Sequence, residues 1–257
     1  QALARAKQLS SRFGVPCAAG RVVMSPAGAE AAARDLGERV VLKILSSEIT
    51  HKSDVGGVAI GLGSDTIGER ISRMATDVKA RCGVHPERFL VQEMVSGGTE
   101  LILGMHRDAL GTAILLGMGG VTAELFKDTT MRLLRQDAQG LKPLSRGEAL
   151  SMAQDLKTWP LLDGFRGRPK ADVEALVDAI VAFSKMAAQF GERLVEAEIN
   201  PVFVLPQGRG VRAADGVVVL AWASLCAWAR SPWGPYLEHE NWMASGPPAF
   251  LCRTLPG

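Results

Sequence analysis

The chain has 257 residues, 47% hydrophobic and 22% charged, with a formal net charge of +2. That length fits one large domain or two smaller ones with ample material for a core, and the composition is that of an ordinary soluble globular protein. So small a charge argues against nucleic acid or an acidic membrane as the main partner, and no run of about 18 apolar residues predicts a transmembrane helix. The opening segment QALARAKQLSSRFG has no apolar stretch followed by a cleavage site, so no secretory signal is expected. It lacks an initiator methionine, which reads as a processed or excised piece of a longer chain. Cys17, Cys82, Cys226 and Cys252 are scattered, without C-x-x-C or zinc-finger spacing, and are expected to be reduced thiols in a cytoplasmic protein.

Taken in order, residues 2–13 carry Leu3, Ala6, Leu9 and Phe13 at helical spacing, with Gly14 placed to stop the helix. Arg21–Met24 reads as a short strand. Ser25 and Pro26 predict a helix N-cap and first turn, and that helix runs to Leu36 before Gly37. The next stretch, VVLKILSSEITHKSDVGGVAIGL from Val40 to Leu62, is the most informative. An apolar strand interrupted by Lys43 leads into a polar loop with His51, then Gly56 and Gly57, then a second apolar strand. A lysine on a buried strand needs an anionic partner such as phosphate, and adjacent glycines let backbone N–H groups approach phosphate oxygens. His51 could accept a phosphoryl group or carry a proton. The plainer readings are an edge lysine reaching water, an ordinary glycine turn and a surface histidine.

Ser64 and Asp65 can cap a helix from Thr66 to about Arg81, whose apolar face is Ile67, Ile71, Met74 and Val78. The alternation of helix and strand predicts an α/β arrangement. Residues 89–135 are strand-rich: Phe89–Val95, Glu100–Met105, Thr112–Leu116 and Val121–Phe126, with Gly117, Gly119 and Gly120 between the last two. An antiparallel sheet with one solvated face explains the polar residues there as well as a site does. Residues 145–158 and 170–190 read as helices, the first headed by a capping box of Ser145 and Glu148, the second capped by Asp172. The loop between them, LLDGFRGRP, holds two arginines that could meet an anion or lie on the surface.

The stretch LVEAEINPVFVL, Leu194 to Leu205, is a strand with Glu196, Glu198 and Asn200 on one face by its period of two. A turn at Gln207–Gly210 would return Val211–Leu220 beside it and bring Asp215 towards Glu198 and Asn200. Three hard oxygen donors suit magnesium shared with phosphate; an exposed acidic strand face is the competing account. After Trp222 the composition changes. Four of the five tryptophans, the single tyrosine and five of the thirteen prolines fall in 222–257, and the tail is expected to be peripheral and irregular.

These stretches, together with VQEMVSGGTELILGMHRD and LLGMGGVTAELFKDTTMRL, resemble the ATP-grasp domain of the nucleoside-diphosphate-forming acyl-CoA synthetases, of the acetate–CoA ligase (ADP-forming) type. The resemblance covers nearly everything except the tail; HKSD-x-GGV followed by E-x-NP carries it most specifically. It implies an α/β (α+β) ATP-grasp fold, with two subdomains clasping a nucleotide between mixed or antiparallel sheets. The expected division is a domain over 1–220 (a small subdomain at about 15–90 with the histidine loop, a larger one at 91–220) and a divergent tail at 221–257. Lys43 would hold the α- and β-phosphates. Glu93 and Val95 would border adenine, and Glu100 the ribose or phosphate end. Gly117, Gly119 and Gly120 would form a glycine loop near the phosphates, joined by Gly56 and Gly57. Asn200 and Asp215 match magnesium-ligand positions, with Glu198 beside them, and His51 would relay the phosphoryl group.

The implied reaction joins acid, CoA and ATP to give acyl-CoA, ADP and phosphate, with Mg2+ as cofactor. The resemblance implies a CoA-binding alpha subunit or fused domain as partner, since no such domain is visible here, and neither nucleic acid nor membrane. Alone, the chain is expected to bind nucleotide and make no acyl-CoA. One alternative is a regulatory nucleotide-binding module of an acetyltransferase-like fusion. Another is an ATP-grasp ligase that makes an amide through an acyl phosphate, against which the HKSDVGG histidine argues.

Overall fold

A computed structural model of the chain describes residues 9–46, 49, 52–120 and 128–221. Two antiparallel sheets, each backed by helices, organise those residues. The smaller contains β1 (Gly20–Val23), β2 (Val40–Ile44), β3 (Val58–Leu62) and β4 (Phe89–Glu93), in the order β1-β4-β2-β3. The most apolar strands, β2 and β4, take the centre. Val40, Leu42 and Ile44 alternate into a core shared with Phe89 and Val91. Helices α1 (Pro26–Leu36) and α2 (Ile67–Cys82) cover that face through Ala29, Ala32, Ala33, Ile67, Ile71 and Met74. The period of two therefore turns Lys43 to the other face, where Leu90 and Val58 are its cross-strand neighbours.

Helix α1 starts as its sequence predicts. Ser25 Oγ accepts from Gly28 N at 3.2 Å, Pro26 occupies the first turn, and the helix stops at Gly37. Helix α2 differs by a residue: Thr66, not Ser64 or Asp65, stands at its N-cap, and the Thr66 hydroxyl bonds back to Gly63. That local turn occupies the side chain that would otherwise cap the helix.

The larger sheet has β5 (Thr99–Asp108), β6 (Gly111–Met118) and β7 (Thr129–Leu133). A two-residue ribbon, β8 (Gln136–Asp137) with β9 (Gly140–Leu141), precedes helices α3 (Arg146–Gln154), α4 (Trp159–Leu162) and α5 (Val173–Phe190). The long strand β10 (Leu194–Val204) then pairs with β5 on one edge, and with β11 (Val211–Ala213) and β12 (Gly216–Leu220) on the other. Leu101, Leu103, Ile114 and Leu116 meet Met152, Ile180 and Phe183 in this core. The capping box of Ser145 and Glu148 is present, and Asp172 accepts from Ala175 N at 3.2 Å.

Two expectations shift. The α3 helix ends at Gln154, and Leu161 and Leu162, read as loop, fall in α4, which Pro160 permits by sitting in its first turn. The single strand expected over 211–220 is two, because Ala214 and Asp215 break it. Every pairing inside the described sheets is antiparallel, in keeping with the expected α/β (α+β) fold with mixed or antiparallel sheets. Residues 9–12 are helical, and Val15 packs in the larger core while Ala18 N donates to Ala213 O at 2.9 Å. The earlier part of the first helix, the strand expected at Val121–Phe126, His51 and the tail from Trp222 lie outside the described residues. No described helix is long and apolar enough to cross a membrane.

Candidate functional site

Lys43 decides where the site is. It is only 7% exposed although it points away from the helix-backed core of its own sheet. Its cover comes from the other sheet: Nζ lies 3.3 Å from Asp215 Oδ2 and donates to Ala214 O at 3.1 Å. Burial pushes the ammonium below the ordinary lysine value; Asp215 opposes this through its charge and hydrogen bond, and nearby Lys52 adds to the depression. The lysine thus bridges the two sheets.

Asp215 is there because the strand partnering β10 breaks. β11 pairs with Val202–Val204 and β12 with Leu194–Ile199, which leaves Asn200 and Pro201 opposite Ala214 and Asp215. Backbone bonds from Asn200 N to Asp215 O (3.1 Å) and Ala214 N to Pro201 O (3.0 Å) close the irregular stretch. The pairing of β10 with β5 also shifts register between Ile199 and Val202. Asp215 Oδ1 accepts from Gly216 N at 2.8 Å, which fixes the carboxylate. On β10, Ala197 and Ile199 are buried while Glu196, Glu198 and Asn200 are exposed, as the period of two requires. Asn200 Nδ2 donates to Glu198 Oε1 at 3.3 Å. Gly104 stands opposite Glu198 on β5, so no side chain crowds the glutamate from that strand. Two carboxylates and an amide oxygen on and opposite this stretch of β10 are the hard donors magnesium prefers, and too few to complete its shell without water or phosphate.

The predicted adenine edge lies where β4 leaves the small sheet. The Glu93 carboxylate accepts from Ala19 N at 2.8 Å, and Glu93 N donates to Ala19 O at 2.9 Å, so this side chain braces the crossing chain. Val95, half-buried, follows outside the strand.

The glycines divide. Gly119 N donates to Glu100 O at 2.8 Å, and a Cβ on Gly119 would come within 3.1 Å of the Glu100 and Leu101 backbone. Gly120 has φ +71°, and a Cβ there would sit 2.8 Å from Glu100 Oε2. Glu100 is therefore packed against the start of the glycine loop. Gly117 is different: it pairs within β6, and a Cβ there would meet Thr129 Cγ2 at 2.8 Å, a packing reason for glycine. Gly56 and Gly57 also depart from expectation. Their N–H groups donate to Ser53 O (3.0 Å) and Lys52 O (2.7 Å), so the turn itself uses the donors that phosphate would need. Gly57 further leaves room for Ile44, whose Cδ1 a Cβ would approach to 2.5 Å.

Sequence reasoning missed the Ala214 carbonyl, Lys52 and Asp128. A backbone carbonyl has no sequence signal. Lys52 stood inside the histidine motif and could have been taken as a second cation. Asp128, 3% exposed, accepts from Lys157 N (2.9 Å), Thr158 N (2.8 Å) and the Thr158 hydroxyl, while its own carbonyl accepts from Met118 N at 3.0 Å. It ties the end of the 117–128 connection to the start of α4. The arginine loop of LLDGFRGRP has a local explanation for one residue, since the Arg166 guanidinium lies over the Phe165 ring at 5.2 Å.

Known proteins resemble this chain along most of its length. A family model described as ATP-grasp domain matches residues 2–220. The beta subunit of acetate–CoA ligase (ADP-forming) I from Pyrococcus furiosus is 32% identical over 203 residues, covering 77% of this chain and 83% of that one. The chain belongs to the ATP-grasp family of ADP-forming acyl-CoA synthetases. A second member, acetate–CoA ligase (ADP-forming) I from Archaeoglobus fulgidus, is 38% identical over 181 residues, 70% of this chain but 25% of the relative's length. This ATP-grasp chain thus corresponds to a quarter of that relative and to most of the beta subunit. Among solved structures, the acetyl-coenzyme A synthetase 1 of Ca. Korarchaeum cryptofilum, in complex with coenzyme A and Ca-AMPCP, matches with a TM-score of 0.76 and 34% identity over 85% of this chain and 92% of that one.

Proposed function

We propose that this chain is the ATP-binding, phosphoryl-transferring half of an ADP-forming acyl-CoA synthetase, which joins acid, CoA and ATP to give acyl-CoA, ADP and phosphate. The observation that carries the reading is Lys43, a buried ammonium held between the two sheets against Asp215, in a chain of this family. A site for phosphoryl transfer works by positioning and charge neutralisation, and these residues supply both. In this reading Lys43 holds the α- and β-phosphates, with Lys52 adding positive charge. Asp215, Asn200 and Glu198 hold Mg2+, which neutralises phosphate charge when bound. The backbone at Glu93–Val95 borders adenine, with the Glu93 carboxylate fixing that edge through Ala19. Glu100 lines the ribose or phosphate end, and Gly119 and Gly120 let the loop approach the phosphates.

His51 is assigned the phosphoryl relay, because a neutral imidazole is a competent nucleophile towards a phosphoryl group and the resulting phosphohistidine passes it on. Support comes from the Korarchaeum enzyme, for which one structure is described with its phosphohistidine segment pointing towards the nucleotide binding site. CoA and the acid are proposed to bind a partner alpha subunit or fused domain. The small subdomain is proposed to contain both strands flanking the histidine loop, and the larger one the metal ligands. Cys82 carries a free thiol, which supports a cytoplasmic setting.

The test is reconstitution. The chain is mixed with the CoA-binding subunit or domain encoded with it, acetate, CoA and Mg-ATP, and the nucleotide products are separated. ADP and acyl-CoA in equal amounts, formed only with both components, support the proposal. AMP as product, or acyl-CoA from either component alone, refutes it.

A further inference from the structure

Lys43 and Asp215 are bonded to each other, yet the proposed function needs each for something else. We infer that this ion pair is a latch that keeps both of its charges partnered until nucleotide binds, and that it makes the site select a nucleotide as its metal chelate over the bare polyphosphate. The inference rests on the nucleotide reading above and extends it to the form of the ligand.

The argument is one of charge. An ammonium as buried as Lys43 needs a counter-charge, and among the described residues Asp215 is the one carboxylate paired with it. Lys52 lies close enough to act on Lys43 as a like charge and so cannot replace that partner. A bare polyphosphate that captured Lys43 would strip Asp215 of its cation. The Asp215 carboxylate, held in place by Gly216 N–H, would then face phosphate oxygens of its own sign. A metal–nucleotide chelate avoids this. Lysine passes from carboxylate to phosphate while carboxylate passes from lysine to metal, so both members of the pair stay partnered before and after. The two partners come from different sheets, so this exchange also replaces one bridge between the sheets with another.

The experiment is calorimetric titration of the purified chain with ADP, once with Mg2+ and once with EDTA, for the wild type and Asp215→Asn. Asparagine preserves an acceptor for Gly216 N–H but removes the negative charge. The wild type should prefer Mg-ADP. The variant should bind bare ADP on the order of tenfold more tightly than the wild type, the scale of one like-charge contact at a partly exposed site, while losing affinity for Mg-ADP. A gain in binding cannot come from misfolding. If the wild type binds Mg-ADP and the variant's affinity for bare ADP is unchanged or weaker, the latch is wrong. If the wild type, with a normal melting transition, binds neither form, the nucleotide reading itself fails and takes the latch with it.

Discussion

Replacing Asp128 by alanine removes a buried carboxylate that accepts two backbone N–H bonds, from Lys157 and Thr158, and the Thr158 hydroxyl. Burial raises the pKa of this group, but the Thr158 hydroxyl and the two N–H donors together outweigh that effect, and the net shift is downward. Hydrogen bonds to a charged acceptor contribute roughly 1.5–3 kcal/mol each, and a donor left unpaired in the interior costs about 1–3 kcal/mol. These terms overlap because the three donors share one acceptor. A combined loss of about 3–5 kcal/mol is expected, or a fall in Tm of very roughly 2–4 °C per kcal/mol at this chain length. Denaturant unfolding followed by circular dichroism measures it. Because a depressed carboxylate stabilises the fold above its unfolded pKa and stops doing so as pH falls through the folded value, the wild type should lose this contribution below about pH 4, and Asp128→Ala should lack that part of the acid transition. A loss under about 1 kcal/mol, with an unchanged acid limb, would refute the reasoning.

Lys43→Met should separate function from stability. It removes a buried charge and leaves Asp215, whose side chain is 32% exposed, to water, so the fold should change by no more than about 1 kcal/mol while Mg-nucleotide affinity falls at least about tenfold; melting and calorimetric titration check the two halves. Gly119→Ala drives a Cβ against the Glu100 and Leu101 backbone and should destabilise by about 1–3 kcal/mol. Gly147→Ala, in the first turn of α3 with nothing within 4 Å, should instead stabilise by about 0.4–1 kcal/mol; thermal unfolding of the two variants side by side gives the opposite signs or contradicts the packing argument.

Much of this was legible because it follows from local chemistry. Ser25–Pro26, the Ser145–Glu148 box and Asp172 each set a helix start where their side chains can reach a backbone N–H. The period of two placed Lys43 on the face opposite Leu42 and Ile44, and Glu198 and Asn200 together on β10. What was not legible depends on partners distant in sequence. The partner of Lys43 is 172 residues away, and half of its coordination is a backbone carbonyl. The break at Ala214–Asp215 arises from how β11 and β12 register on β10, which no local pattern announces. The glycines at 56, 57 and 117 look like phosphate contacts in the sequence, and only the folded neighbours, Ile44, Lys52 and Thr129, reveal their packing and turn roles.

The central claim is that a phosphoryl group passes from ATP through this chain by way of His51. The direct measurement incubates the chain and its CoA-binding partner with Mg2+ and γ-labelled ATP, then assays acid-labile, base-stable label on each polypeptide, with His51→Ala in parallel and nucleotide binding checked for both. The account predicts such label on the wild-type chain and none on the variant, at equal nucleotide affinity. Label that persists in His51→Ala, or a wild type that binds Mg-ATP beside its partner and never becomes labelled, would contradict it.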